Sequence, residues 1–136
     1  MADKLSPQQR SRLMSRIRQK DTDLETAVRS RLHRVGYRFR KHVVGLPGRP
    51  DIVFPRERLA VFIDGDFWHG WRFPQWKGTI TPFWQEKIEG NRRRDRRNFA
   101  ALRRSGWYVL RIWGHEISHD PDGATARVIA AIGSLR

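Results

Sequence analysis

Cysteine is absent from all 136 residues, so neither a disulfide nor a thiolate metal site contributes to this chain. Long apolar runs are missing too. None approaches the roughly 20 residues of a membrane-spanning helix, and no segment sets a Trp-rich face against a basic one. The first residues lack the apolar core of a secretory leader. No membrane partner and a cytoplasmic location are therefore expected. Acidic residues are scarce: 14 Asp and Glu stand against 28 Lys and Arg, for a net charge of +14. Such an excess opposes a compact fold by self-repulsion, and a polyanionic partner is the economical explanation.

The length suits one domain over 1–136, with a single hydrophobic core. Six Trp and seven Phe are many for so polar a chain, and such side chains can wedge between bases or stack on them.

Ser6-Pro7 reads as an N-cap and first helical residue, opening a basic helix to about Gln19 with Leu13, Met14 and Ile17 as its thin apolar side. Thr22-Asp23-Leu24-Glu25 reads as the capping box of a second helix, in which Leu24, Val28, Leu32 and Val35 recur at helical spacing until Gly36. Strands are expected over Tyr37–Val44, Asp51–Phe54, Leu59–Asp64 and Trp107–Trp113. Gly65–Thr81 reads as an aromatic loop, Thr81-Pro82 opens a long helix to Ser105, and Asp120-Pro121 opens the last. The order α-α-β-β-β-α-β-α predicts an α/β fold: a mixed β-sheet flanked by helices, as in restriction-endonuclease-like nucleases.

The most informative stretch is Leu46-Pro47-Gly48-Arg49-Pro50-Asp51, with Ile63-Asp64-Gly65-Asp66-Phe67-Trp68-His69 following. A carboxylate stands at the start of one apolar strand and another at the end of the next, where a cation or donors must meet it. With a histidine just beyond, this is the pattern of a hydrolytic metal site acting on a phosphodiester. Alone, Asp51 reads as a turn cap as readily as a catalytic acid; beside Asp64 and His69 the catalytic reading leads. Asp64 and Asp66 flank a glycine, and one of them is expected to form only a tight turn. His69 reads either as an ordinary packed histidine among Phe67, Trp68 and Trp71 or as a base, and two carboxylates within reach favour the base. Glu25 has two equal readings, as a capping-box residue or as a holder of a metal's waters. Asp95, among five arginines, either neutralises a solvated helix face or is a buried partner of His69 or of those waters. Lys87, Asn91 and Arg94 share a helix face suited to phosphate or base-edge contact. Phe67, Trp68 and Trp84 form either a small second core or a wedge.

These motifs in this order resemble the very-short-patch-repair (Vsr) endonucleases, which nick DNA beside a T:G mismatch left by deamination of 5-methylcytosine. The resemblance runs through Asp21-Thr22 with Glu25, Leu46 to Asp51, Phe67-Trp68-His69, Phe83-Trp84 with Glu86-Lys87-Ile88, Asn91 with Arg94-Asp95-Arg96-Arg97, and Gly106-Trp107 to Trp113. It implies that Asp51 and the backbone carbonyl of Ile63 hold Mg²⁺, with Asp64 a further ligand on its position alone. It also implies that His69 activates water while Glu25 and Asp95 support the metal's waters and the histidine. Phe67, Trp68 and Trp84 would intercalate from the major groove. Met14 and Ile17, on a DNA-contacting helix within 1–20, would enter the minor groove, and Lys87 and Asn91 would meet the mismatched pair. The partner implied is double-stranded DNA carrying a mismatch, met by a monomer at the bacterial nucleoid. The alternatives are a restriction or nicking endonuclease of the same fold with another DNA trigger, and a non-catalytic DNA-binding module.

The chain departs from the family where the family holds a structural zinc, mainly by Cys with a His. Asp66, Trp71, Phe73 and His115 stand at those points, and no lysine follows Asp64 by two residues. No structural zinc is therefore expected. Asp66 and His115 should instead form a charge-assisted pair with Trp71 and Phe73 around it. The alternative is a loop held by aromatic packing alone.

Overall fold

The computed structural model describes residues 5–136; the first four residues of the expected 1–20 segment lie outside them. Ser6 accepts from the Gln9 amide while the Gln9 side chain accepts from the Ser6 amide, at 3.1 and 2.8 Å, and Pro7 takes the first helical position. The helix so opened, α1, runs unbroken over Pro7–Arg34.

The two expected N-terminal helices are therefore one. At the predicted break the Thr22 hydroxyl donates to the Arg18 carbonyl at 3.0 Å, and Gln19 bridges to Asp23 at 3.1 Å. With no Gly or Pro between them, side chains that could have capped a new helix brace the existing one. The helix stops where expected. Gly36 takes φ +95°, and the Tyr37 amide folds back onto the Leu32 carbonyl at 3.0 Å.

Four strands follow: β1 (Arg40–Lys41), β2 (Ile52–Phe54), β3 (Leu59–Asp64) and β4 (Tyr108–Trp113), in the order β1-β2-β3-β4. β1–β2 and β2–β3 are antiparallel, and β3–β4 is parallel. The long helix α3 (Pro82–Arg104) links the parallel pair. This mixed sheet flanked by helices is the α/β architecture expected. β1 is shorter than predicted because both its residues are exposed and His42 turns to φ +53°, ending the ladder. The expected loop contains a short helix, α2 (Phe73–Trp76), and a 3-10 turn at Lys77–Thr79. A further helix, α4 (Gly114–His119), precedes α5 (Pro121–Leu135). In β4 only Ile112 is buried; Tyr108 is exposed and the rest are half-buried. None of the helices among the described residues is long and apolar enough to cross a membrane.

The period-two alternation of β3 and β4 separates core from site. Leu59, Val61, Ile63 and Ile112 pack against Val28 and Leu32 of α1 and Val128 and Ile132 of α5. Full burial of each such side chain is worth about 1.5–3 kcal/mol. Ala60 and Phe62 turn the other way, onto Phe99 and Leu102 of α3. Asp64 and Arg111 fall on this second, thinner side, where α3 also brings Asp95.

Candidate active site

Asp51 opens β2 after the buried Pro50. Its amide donates to the Val61 carbonyl at 3.0 Å, and its Oδ2 accepts from the Ile63 amide at 2.6 Å. The loop before it lies tight on α3. At Gly48, with φ +78°, a Cβ would come within 3.1 Å of the Phe62 ring and 3.2 Å of Asn98, so a larger residue would be strained and would press both neighbours aside. A Cβ at Gly65 would stand 2.7 Å from the Asp21 carboxylate. Asp21, Glu25, Asp51, Asp64, His69 and Asp95 thus come to line one cavity of about 200 Å³.

Glu25 is not a capping residue, because α1 is continuous through it. Its Oε2 lies 3.2 Å from Arg29 Nη1 and 3.1 Å from His42 Nε2. It also lies beside Asp51, whose carboxyl is pushed up to about 8 by burial, then by the charge of Glu25. The Ile63 amide only partly offsets them. Two carboxylates so placed cannot both ionise cheaply without a cation. Glu25, His42 and Asp51 each offer a ligand atom within 4.8 Å of the others.

A second group, Asp64, His69 and Asp95, meets the same test, but a cation already serves it. Arg111 Nε donates to Asp64 Oδ2 and Arg111 Nη2 to Asp95 Oδ2, both at 2.7 Å. His69 Nδ1 lies 2.7 Å from the same Asp95 oxygen, and His69 Nε2 lies 3.4 Å from Asp64 Oδ1. Burial raises the Asp64 carboxyl above the usual range despite the opposing charges of His69 and Arg111. For His69, burial disfavours the cation, but the Asp95 hydrogen bond and the charges of Asp64 and Asp95 prevail, and its pKa is raised above 6.5. Sequence reasoning missed Arg111 and His42. A charge inside the apolar run Val109-Leu110-Arg111-Ile112-Trp113 was a legible sign of a buried partner; nothing around His42 singled it out.

The expected DNA-contacting residues stand apart from this cavity. Phe67 packs against Trp68, Trp76 and Trp84 with ring centroids 5.6, 5.8 and 5.7 Å apart, and Trp84 is only 6% exposed. The neighbouring Phe83 is 55% exposed, with the Arg10 guanidinium 5.4 Å from its ring. Lys87 lies over the Trp68 ring at 5.7 Å. Asn91 Nδ2 donates to the Trp68 carbonyl at 2.9 Å, and Arg94 donates to Asn91 Oδ1 at 3.1 Å. Met14 is buried at 8% exposure. Ile17 is half-buried and lines a separate cavity of about 300 Å³ with Leu24, Phe67 and Ser118.

The loop after β3 is tied at Asp66, whose two carboxylate oxygens both lie 3.1 Å from His115 Nδ1. The Trp71 ring sits on the His115 ring at 4.1 Å, and the Trp71 amide donates to the Asp66 carbonyl at 2.9 Å. Phe73 is fully buried, edge-on to Trp76.

Residues 2–75 match the family model described as DNA mismatch endonuclease Vsr. The Type II nicking enzyme V.XorIIP of Xanthomonas oryzae pv. oryzae is 51% identical over 120 residues, covering 87% of this chain and 88% of that protein. The DNA mismatch endonuclease Vsr of Escherichia coli is 41% identical over 115 residues, covering 83% and 74%. The Type II nicking enzyme V.NmeDIP of Neisseria meningitidis is 36% identical over 133 residues, covering 96% and 90%.

Proposed function

Since the chain belongs to the Vsr family and is a DNA endonuclease, we propose that it nicks one strand of duplex DNA beside a T:G mismatch in a Mg²⁺-dependent reaction. The observation that carries this reading is the cavity joining the Asp51–Glu25 pair to the His69–Asp95 pair.

The donors fit a hard cation. Asp51 and Glu25 are adjacent carboxylates, and the charge of one opposes ionisation of the other. Asp51 and the carbonyl of Ile63 would hold the ion, with Glu25 on its waters. Asp64 already has the Arg111 guanidinium as its counter-cation at 2.7 Å, so Asp64 is left out of the ligand set. When bound, Mg²⁺ supplies charge stabilisation at the scissile phosphate. Asp95 holds the His69 ring by Nδ1, which leaves Nε2 to accept a proton from the attacking water.

Recognition falls to the α1 and α3 sides of the molecule. Phe67, Trp68 and Trp84 provide the wedge, with the aromatic cluster opening as base steps enter it. Lys87, Asn91 and Arg94 follow Trp84 along α3, and Ile17 of the 1–20 segment meets the minor groove, whereas Met14, buried at 8% exposure, joins it only if α1 shifts on binding. The chain acts on this reading as a single-domain monomer on bacterial nucleoid DNA. A second reading is a nicking enzyme with a trigger other than T:G, favoured by the 51% identity to the Type II nicking enzyme V.XorIIP.

Short duplexes carrying each mismatch in turn, with both strands labelled, separate the two. Mg²⁺-dependent nicking of one strand confined to T:G is the expected result. Equal cleavage of matched duplex, or of another mismatch, would replace it with the second reading.

A further inference from the structure

Arg111 lies in the middle of β4, on the strand face turned toward α3, half-buried, where an unpaired guanidinium would carry a desolvation cost. It is paired twice, with 2.7 Å bonds to Asp64 Oδ2 and Asp95 Oδ2. Each of these carboxylates also meets His69. Asp95 uses the same oxygen, 2.7 Å from Nδ1, and Asp64 uses its other oxygen, 3.4 Å from Nε2. Both nitrogens of the ring are therefore flanked by acids that share one arginine. The rings of Trp113 and Phe99 lie 4.1 and 5.0 Å from the guanidinium carbon, limiting its freedom to turn.

The geometry points to Arg111 as the positioning residue of this site: it holds Asp95 against Nδ1 and draws Asp64 away from Nε2, so that Nε2 stays open to a water. This rests on His69 being the base. The contact lengths carry the argument. The Asp64–Arg111 bond is short and charge-assisted, whereas the Asp64–His69 approach is at 3.4 Å, beyond an ordinary hydrogen bond. Without the guanidinium, both acids would close on the imidazole, and Asp64 would occupy the nitrogen that water must reach. Lysine would be a poor substitute, since a point charge on a flexible stem lacks the rigid fork that bonds both acids at once.

Three variants test this: Arg111→Lys, Arg111→Met, and Arg111→Met combined with Asp64→Ala, which leaves no donor or acceptor beside Nε2. The ring-nitrogen NMR shifts of His69 are read in the metal-free protein, and nicking is measured with Mg²⁺. Arg111→Met should change the His69 shifts and lower kcat by about 10–100-fold, the usual size of a supporting-residue effect. KM for DNA should stay within about threefold, because the interaction lost is felt at the reacting centre rather than in ground-state binding. Arg111→Lys should fall between wild type and Arg111→Met. The double variant should recover about half of the lost activity on a logarithmic scale, by freeing Nε2 again.

Unchanged shifts and kcat in Arg111→Met would overturn the proposal. So would a loss that tracks a lowered melting temperature and is not relieved by Asp64→Ala, because Arg111 would then act only on the fold. A His69→Ala control separates the two levels. Wild-type nicking by that control refutes the base reading, whereas lost nicking in it with unchanged shifts in Arg111→Met refutes only the positioning role.

Discussion

The Ile63 amide and the Asp51 carboxylate, twelve residues apart, form a 2.6 Å hydrogen bond that ties the entry of β2 to the end of β3. Even with this donor, burial and Glu25 push the Asp51 carboxyl up to about 8. The folded, metal-free protein therefore holds a proton that the unfolded chain has released above about 4. Its stability is fully present below that point and falls as pH rises toward 8.

Asp51→Asn should accordingly abolish nicking while stabilising the metal-free fold. The gain should be small near pH 5 and reach on the order of 1–3 kcal/mol at pH 8.5, the cost of the desolvated charge it removes. Thermal unfolding of both proteins across that range is the check. A variant less stable than wild type at pH 8.5 would show that the carboxylate is compensated in some other way.

Nicking should have an acid limb with its midpoint above 6.5, since His69 must be neutral to accept a proton and its pKa is raised. The rate rises with pH as the imidazolium deprotonates. His69→Ala should lower kcat by about 10²–10⁴ and remove this limb. A limb that survives in His69→Ala would belong to another group.

His115→Ala should loosen the segment between β3 and α3. The pair it forms with Asp66 is partly exposed, so its own worth is at most about 1 kcal/mol, with the Trp71 packing lost in addition. Faster tryptic cleavage after the exposed Arg72, with a melting temperature lowered by a few degrees, is the expected outcome. Unaltered cleavage would mean that α2 and the Lys77–Glu89 pair hold the segment without it.

Trp68→Ala should reduce the preference for mismatched over matched duplex by about tenfold, a single stacking contact's worth. Competition binding at fixed salt measures it. Retained discrimination would identify the Phe67–Trp68–Trp84 group as a packing cluster that braces the His69 loop.

Several elements were legible because their signals are local. Ser6, Pro7 and Gln9 mark a helix start through neighbouring backbone groups, and Gly36 marks its end by the φ it alone adopts easily. Asp120 and Pro121 do the same for α5. The apolar run Leu59–Ile63 marks a strand with Asp64 at its end before any fold is known, although all six residues are buried and the run does not say which of them face α3. The false break at Thr22 came from the same local logic: a hydroxyl that can cap a helix can also bond back along one, and the sequence near it does not say which. In the fold, the α1 residues beyond it, Leu24, Val28 and Leu32, are held in one core.

What the sequence by itself determined was which residue types stand at strand ends and helix starts, and hence a basic α/β protein with Asp51, Asp64 and His69 as its chemistry-bearing positions. The tertiary structure decided who meets whom. His42 reaches Glu25 only because the β1–β2 turn folds against α1, and Arg111 reaches Asp64 only because β4 pairs with β3 in a register that sets Phe62 opposite Arg111. α3 then carries Asp95 to the same arginine, 16 residues away along the chain. Pairings across such separations are set by register and by packing of whole faces, and no local propensity encodes them.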